Sequence, residues 1–223
     1  MDTVFYFQEL IPALNHGLLV SLALILPSAS MGLLVGIGVG MTRAFGGPFS
    51  SGLARGYAAL FRGTPLVIQL FVLYFGLPNL GIYLSPYAAA VIGFTLCSGA
   101  YHSEYIRGGL LSIKKGQVAA AHALGFSTMK TMFHVVIPQA LRRALPGCGN
   151  EFIYLIKYSS LAYIITCIEL TGEGKVLASK TFRFTEVFLV VGLYYLILVS
   201  LATLGLNWLE RRLAVPGFGH SRD

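Results

Sequence analysis

The chain has 223 residues, of which 56% are hydrophobic and only 11% charged, with a mean hydropathy of +0.73. An average soluble domain carries about 25% charged residues, so this composition excludes an ordinary water-soluble globule and makes lipid the solvent of most of the chain. The net charge of +7 does not point to nucleic acid, because the basic residues are strung along one membrane face with no aromatic-basic platform of the kind that binds it.

Asp2 and Glu9 precede the first apolar run where a signal peptide would have a basic segment, so cleavage there is not expected. Residues 10–42, 63–103 and 187–209 carry no formal charge, and a membrane-crossing helix needs only about 20 such residues. The middle run is too long for one crossing. It contains Pro78 and Pro86 around "NLGIYLS", a turn-forming cluster that cannot continue a helix. The pattern predicts an all-α membrane protein, one domain over 1–223, with five spans near 17–42, 54–77, 86–106, 139–168 and 187–209. Basic residues are retained on the cytoplasmic side. Twelve of the sixteen Lys and Arg, at 43, 55, 62, 107, 114, 115, 130, 142, 143, 211, 212 and 222, fall on one side of this arrangement. Lys175, Lys180 and Arg183 fall on the other, and Lys157 falls inside a span. The expectation is an N-terminus outside and a C-terminus in the cytoplasm.

Pro65 in "RGTPLVIQLFVLYFG" frees a backbone carbonyl one turn earlier, with Gln69 four residues on. Freed backbone groups are tolerated in a membrane where protein covers them or a cavity takes them. Gln69 reads either as an interhelical hydrogen bond or as part of such a cavity. Glu104 and Arg107 share a helix face, so mutual neutralisation competes with substrate contact. Lys157, with Glu151 before it and no charge after it until Glu169, costs roughly 2.5–3.5 kcal/mol at membrane depth. It either faces a partner or a watery path, or snorkels to the headgroups.

The segment 114–138 lies between the third and fourth spans. Its alanines favour a short helix, Gly125 suits the left-handed position that ends one, and Ser127 can cap a second helix running toward Pro138. Phe126, Met129, Met132 and Phe133 recur at helical spacing as an apolar face, suited to a surface helix or to insertion in a partner's groove.

Catalytic chemistry is not legible. Cys97, Cys148 and Cys167 are far apart with no CxxC pairing, and the histidines lack metalloprotease spacing. "GEGKV" at 172–176 lacks the spacing and the hydroxyl residue of a phosphate loop. No metal site and no catalytic residue is expected.

The stretch "GQVAAAHALGFSTMKTMFHVVIPQAL" resembles the cytoplasmic EAA loop of ABC-importer permeases, with Ala120, Ala121, Gly125, Ile137 and Pro138 matching and Ala119 where the family has glutamate. "RGTPLVIQLFVLYFGLP", "GAYHSEYIRGGLLSIKKGQ", "LPGCGNEFIYLIKYSSL" and "LNWLERRLAVPG" are similar to the polar amino acid permeases of the histidine and glutamine type. Lys157 and Leu161 match that group, while Tyr158 stands where an aspartate is common.

The resemblance implies the ABC type I importer permease fold and a role as transmembrane subunit of a binding-protein-dependent importer in a bacterial inner membrane. Its partners would be a second permease subunit, identical or related, two cytoplasmic ATPases and an extracytoplasmic amino acid-binding protein. ATP and Mg would be used by the ATPases and no cofactor bound by this chain. Coupling to the ATPase would fall to the loop 114–138, through Gly116, Gln117, Ala119, Ala120, Ala121, Gly125, Phe126 and Met129. Candidates for a substrate path are Gln69, Glu104, Asn150, Glu151, Lys157, Ser159 and Ser160. An ion-coupled secondary transporter would need internal repeats and an intramembrane enzyme a pair of catalytic polar groups; neither is visible.

Overall fold

The structure is a computed structural model that describes residues 3–213. Asp2, His220, Arg222 and the end of the 206–217 segment lie outside the described residues, which contain helices and no strand.

A π-helical turn, Phe5–Leu10, runs directly into α1 (Ile11–Phe45). Pro27 sits inside α1 and has no N–H to give, which leaves the Ala23 carbonyl free. The Tyr87 hydroxyl donates to it at 2.8 Å, so a residue from a later helix repairs the ladder. After Gly46 and Gly47 the chain re-enters helix at Pro48 to form α2 (Pro48–Gly63). α3 (Leu66–Phe71) continues through a π turn, Val72–Gly76, and a 3₁₀ turn, Leu77–Leu80.

α2 and the α3 segment meet at 104°. The helix expected over 54–77 is therefore not continuous. Its break has a local cause: Thr64, preceding a proline, is extended at φ −113°, ψ 141°, as steric conflict with the proline ring demands.

α4 (Pro86–Leu111) starts at Ser85, whose Oγ accepts from the Ala88 N–H, with Pro86 in the first helical position. It is the central helix, packed on α1 and on α7. The α1 contact is close because Gly32, Gly36 and Gly40 lie one turn apart against Ser98, His102 and Ser103. A Cβ at Gly36 would overlap the His102 Cβ. Lipid tails are as apolar as leucine, so helices associate in a membrane through close packing of this kind.

α5 (Lys115–Ala123) and α6 (Thr128–Thr131) form the hairpin between α4 and α7, and a π turn, Met132–Val136, leads from α6 into α7 (Ile137–Tyr158). A 3₁₀ segment, Ser159–Ile165, follows. α8 (Leu170–Thr181) then leaves at 51° to this run, and α9 (Phe184–Leu213) ends the described chain. The expected span 139–168 thus divides into α-helix and 3₁₀ helix.

Fully buried Glu169 fixes the turn into α8. Its carboxylate accepts from the N–H groups of Thr171 and Gly172 at 3.0 Å, from the Tyr195 hydroxyl at 2.9 Å and from the Ser21 hydroxyl at 3.2 Å. One side chain therefore caps α8 and ties it to α1 and α9.

By length and composition, Phe5–Phe45 and Phe184–Leu213 can each cross a membrane, and the two bent pairs raise the number to four. α4 is not among them. Its 26 residues suffice for a crossing, but Ser98, His102 and Ser103 lower its hydropathy; all three are buried against other helices. The outward faces of α1 and α9 are leucine-rich, with Leu19, Leu34, Leu189 and Leu204 exposed.

Candidate functional site

The hairpin forms by local rules. The Phe126 N–H donates to the Ala121 carbonyl at 3.0 Å and the Gly125 N–H to the His122 carbonyl at 2.9 Å, the paired bonds of a Schellman ending. Gly125 supplies the left-handed residue, at φ +81°. The Ser127 Oγ accepts from the Lys130 N–H at 3.3 Å and caps α6, as its position predicts.

All eight coupling candidates sit on this one element. Gly116, Gln117, Ala119, Ala120, Gly125 and Met129 are exposed, Phe126 is half-buried under the Lys130 ammonium, and Ala121 is buried. Leu124 and Phe133 add exposed apolar surface. No Asp or Glu occurs in residues 105–150, so Lys114, Lys115 and Lys130 give this surface a single sign. The hairpin is attached rigidly to α4: Val118 and Met132 pack against a buried cluster containing Ile106, Leu110 and Val136, and Arg143 donates to the carbonyl and hydroxyl of Ser112.

Further along α4, Glu104 gathers three arginines. It accepts from Arg43 of α1 at 2.6 Å, from Arg62 of α2 at 2.9 Å and from Arg107 at 2.5 Å. The Glu104–Arg107 pairing expected from helical spacing is present, but it belongs to a larger cluster joining three helices. One carboxylate against three guanidinium groups leaves the cluster positive.

The α2–α3 break opens a cleft of about 420 Å³, within the size range of small-molecule sites. Its wall consists of the broken backbone from Arg62 to Val67, with Cys97 and Tyr101 of α4, Tyr158 of α7 and Leu161 beyond it. Gln69 keeps the break intact, its Nε2 donating to the carbonyls of Phe61 at 2.9 Å and Thr64 at 3.0 Å. The expected interhelical hydrogen bond of Gln69 is thus made to the backbone at the end of α2.

None of the seven path candidates lines this cleft. Gln69 serves the break behind it, and Glu104 holds the arginines. Asn150 is exposed and Glu151 buried on α7. Lys157 is exposed, its ammonium 4.3 Å from the centre of the Tyr154 ring. Ser159 and Ser160 donate back to the carbonyls of Ile156 and Lys157. Arg62, Tyr101 and Tyr158 form the polar wall instead. Their signal was present in the quoted motifs, but only packing brings the three together. Among the described residues no group of His, Cys, Asp and Glu is arranged to hold a metal ion.

The family of binding-protein-dependent transport system inner membrane components matches residues 32–215. The chain belongs to that family. This inner membrane component is 38% identical over 207 residues to the glutamine transport system permease protein GlnP of Escherichia coli K12, covering 92% of this chain and 94% of GlnP. It is 38% identical over 198 residues to the nopaline transport system permease protein NocM of Agrobacterium fabrum, covering 84% of this chain and 82% of NocM. The crystal structure of an amino acid ABC transporter with histidines superposes at a TM-score of 0.86, with 31% identity over 91% of this chain and 94% of the other. An inward-facing methionine ABC transporter, MetNI, shares the fold at a TM-score of 0.78 and 20% identity, over 96% of this chain and all of the other.

Proposed function

We propose that this chain is the transmembrane permease subunit of an ABC importer for polar amino acids. The path is formed with a second permease subunit, identical or related. Two cytoplasmic ATPases use ATP and Mg, and an extracytoplasmic binding protein delivers the substrate. This chain performs no catalysis and binds no cofactor of its own. It crosses a bacterial inner membrane five times, with α4 as the fifth crossing helix, the N-terminus outside and the hairpin and C-terminus in the cytoplasm.

The observation that carries the reading is the continuity of α4. One helix holds Cys97 and Tyr101 on the cleft wall, Glu104 in the arginine cluster, and Ile106 and Leu110 in the packing that seats the hairpin. A displacement of α5 and α6 by a closing ATPase is thereby delivered to the cleft by a rigid rod. The residues at 116–129 dock in the ATPase groove. Because this surface carries lysines and no carboxylate, the groove must be apolar with negative charge at its rim. The cleft is the substrate's station, and Glu104, Glu151 and Lys157 shape the field along the path.

The test is reconstitution with the ATPase and binding protein in proteoliposomes, following labelled glutamine. Uptake should require both internal ATP and the binding protein. Uptake driven by an ion gradient alone would make the chain a secondary transporter and overturn the assignment.

A further inference from the structure

We infer that the outward face and last turn of α9 hold a phospholipid with a negatively charged headgroup, in the leaflet where that helix ends.

The contacts of α9 with the rest of the chain lie on one side: Val191 against Gly174, Leu206 against Gly149, and Leu198, Val199 and Ala202 against the buried cluster that contains Leu155. Ile197, Leu201, Leu204 and Trp208 are between 50% and 66% exposed. They follow one another at three or four residues and so form a single stripe. Eleven residues at 1.5 Å each give it a length of about 16 Å, roughly half of a hydrocarbon core of about 30 Å, which is the depth of one leaflet. Arg211 and Arg212 come one turn beyond Trp208, where headgroups begin, and at about 100° per residue they fall on either side of the stripe.

Both arginines are exposed, and neither has a carboxylate partner among the described residues. Glu210, four residues after Leu206, lies on the α7 side of the helix. Arg212 stands 5.0 Å from the centre of the Trp208 ring, a contact that leaves its N–H donors for another acceptor. A second helix fits this face poorly. Helices associate in lipid through small residues, as α1 and α4 do at Gly36, whereas the stripe consists of large ones. A phospholipid matches each part: an acyl chain along the stripe, the indole at the interface, and phosphate oxygens for two guanidinium groups. A zwitterionic headgroup would also bring an ammonium beside two arginines, so a net negative one is favoured.

Trp208 is the only tryptophan of the chain, so its fluorescence reports this site alone. The test places the full chain in phosphatidylcholine nanodiscs with equal small fractions of brominated phosphatidylglycerol or brominated phosphatidylcholine, because bromine quenches an indole that it touches. Phosphatidylglycerol should occupy the site on the order of tenfold more readily, the advantage of two arginines beside an anionic headgroup. Arg211→Gln combined with Arg212→Gln should remove that preference while quenching by brominated phosphatidylcholine persists, which shows that α9 is still in the bilayer. Arg55→Gln, which takes an exposed charge from α2, should leave the preference intact. Equal quenching by the two lipids, or a loss as large with Arg55→Gln as with the arginine pair, would overturn the inference. Quenching by neither lipid would mean that protein covers the stripe, and would overturn it as well.

Discussion

Replacing Glu104 by Gln keeps the shape of the side chain and removes its charge, which isolates the electrostatic share of the three-arginine cluster. The three pairs are unequal. Arg43 retains only 11% of its side-chain exposure, against 39% for Arg62 and 31% for Arg107, and Glu104 itself retains 27%. Breaking a fully buried ion pair from one side costs about 3–5 kcal/mol, whereas exposed pairs are worth about 0–1 kcal/mol. The Arg43 pair stands between these limits, because its arginine is largely but not fully buried and its carboxylate is partly hydrated. The other two pairs belong near the lower limit. The sum is about 2 kcal/mol, most of it from leaving Arg43 charged between α1 and α4. For a chain of 150–250 residues that corresponds to a fall of about 4–8 °C in unfolding temperature. Cys97 and Cys167 are free and buried, so a thiol-reactive dye reports unfolding in detergent without an added label. Glu104→Gln should lower the midpoint, Arg43→Gln should do so less, and the double variant should fall by less than the two losses added. An unchanged midpoint in Glu104→Gln, or strict additivity, would refute the claim that the cluster holds α1, α2 and α4 together.

Gly125→Asp should leave the chain folded in the membrane, since a Cβ there meets nothing within 4 Å and the left-handed backbone costs about 1–2 kcal/mol. ATPase co-purification and amino acid uptake should both drop, and wild-type values in both would sink the coupling assignment. Gly36→Val should cost about 3 kcal/mol or more, at the upper end for overpacking, because backbone atoms of Gly99 and Ser103 stand beside the His102 contact and cannot yield; retention of the wild-type unfolding temperature would contradict the close α1–α4 contact. In a variant lacking the three cysteines, single cysteines at Leu80 and Phe182, both highly exposed, should react with an impermeant thiol reagent from outside, and one at Lys115 only from inside. Labelling of position 115 from outside would overturn the orientation.

The hairpin shows how far local chemistry reaches. A left-handed glycine at 125 and a capping serine at 127 act over one helical turn, and the structure builds the ending and the cap that those residues call for. Pro65 is equally local, although its consequence was only half legible: a proline predicts disturbance of a helix, and the structure makes that disturbance a bend of 104°. The apolar runs likewise announced lipid-embedded helices, because the free energy of placing about 20 uncharged residues in a bilayer is a property of composition. The wall of the cleft was not legible in this way. Arg62, Tyr101 and Tyr158 come from three helices, and no rule of spacing relates their positions. Their meeting depends on contacts between helices, among them the close approach of α1 and α4 at Gly36 and the anchoring of the end of α2 by Gln69. Backbone preferences and capping act between neighbours in the chain and can be read from it. The cleft is made by contacts among residues remote in sequence, and these exist only once the helices have packed.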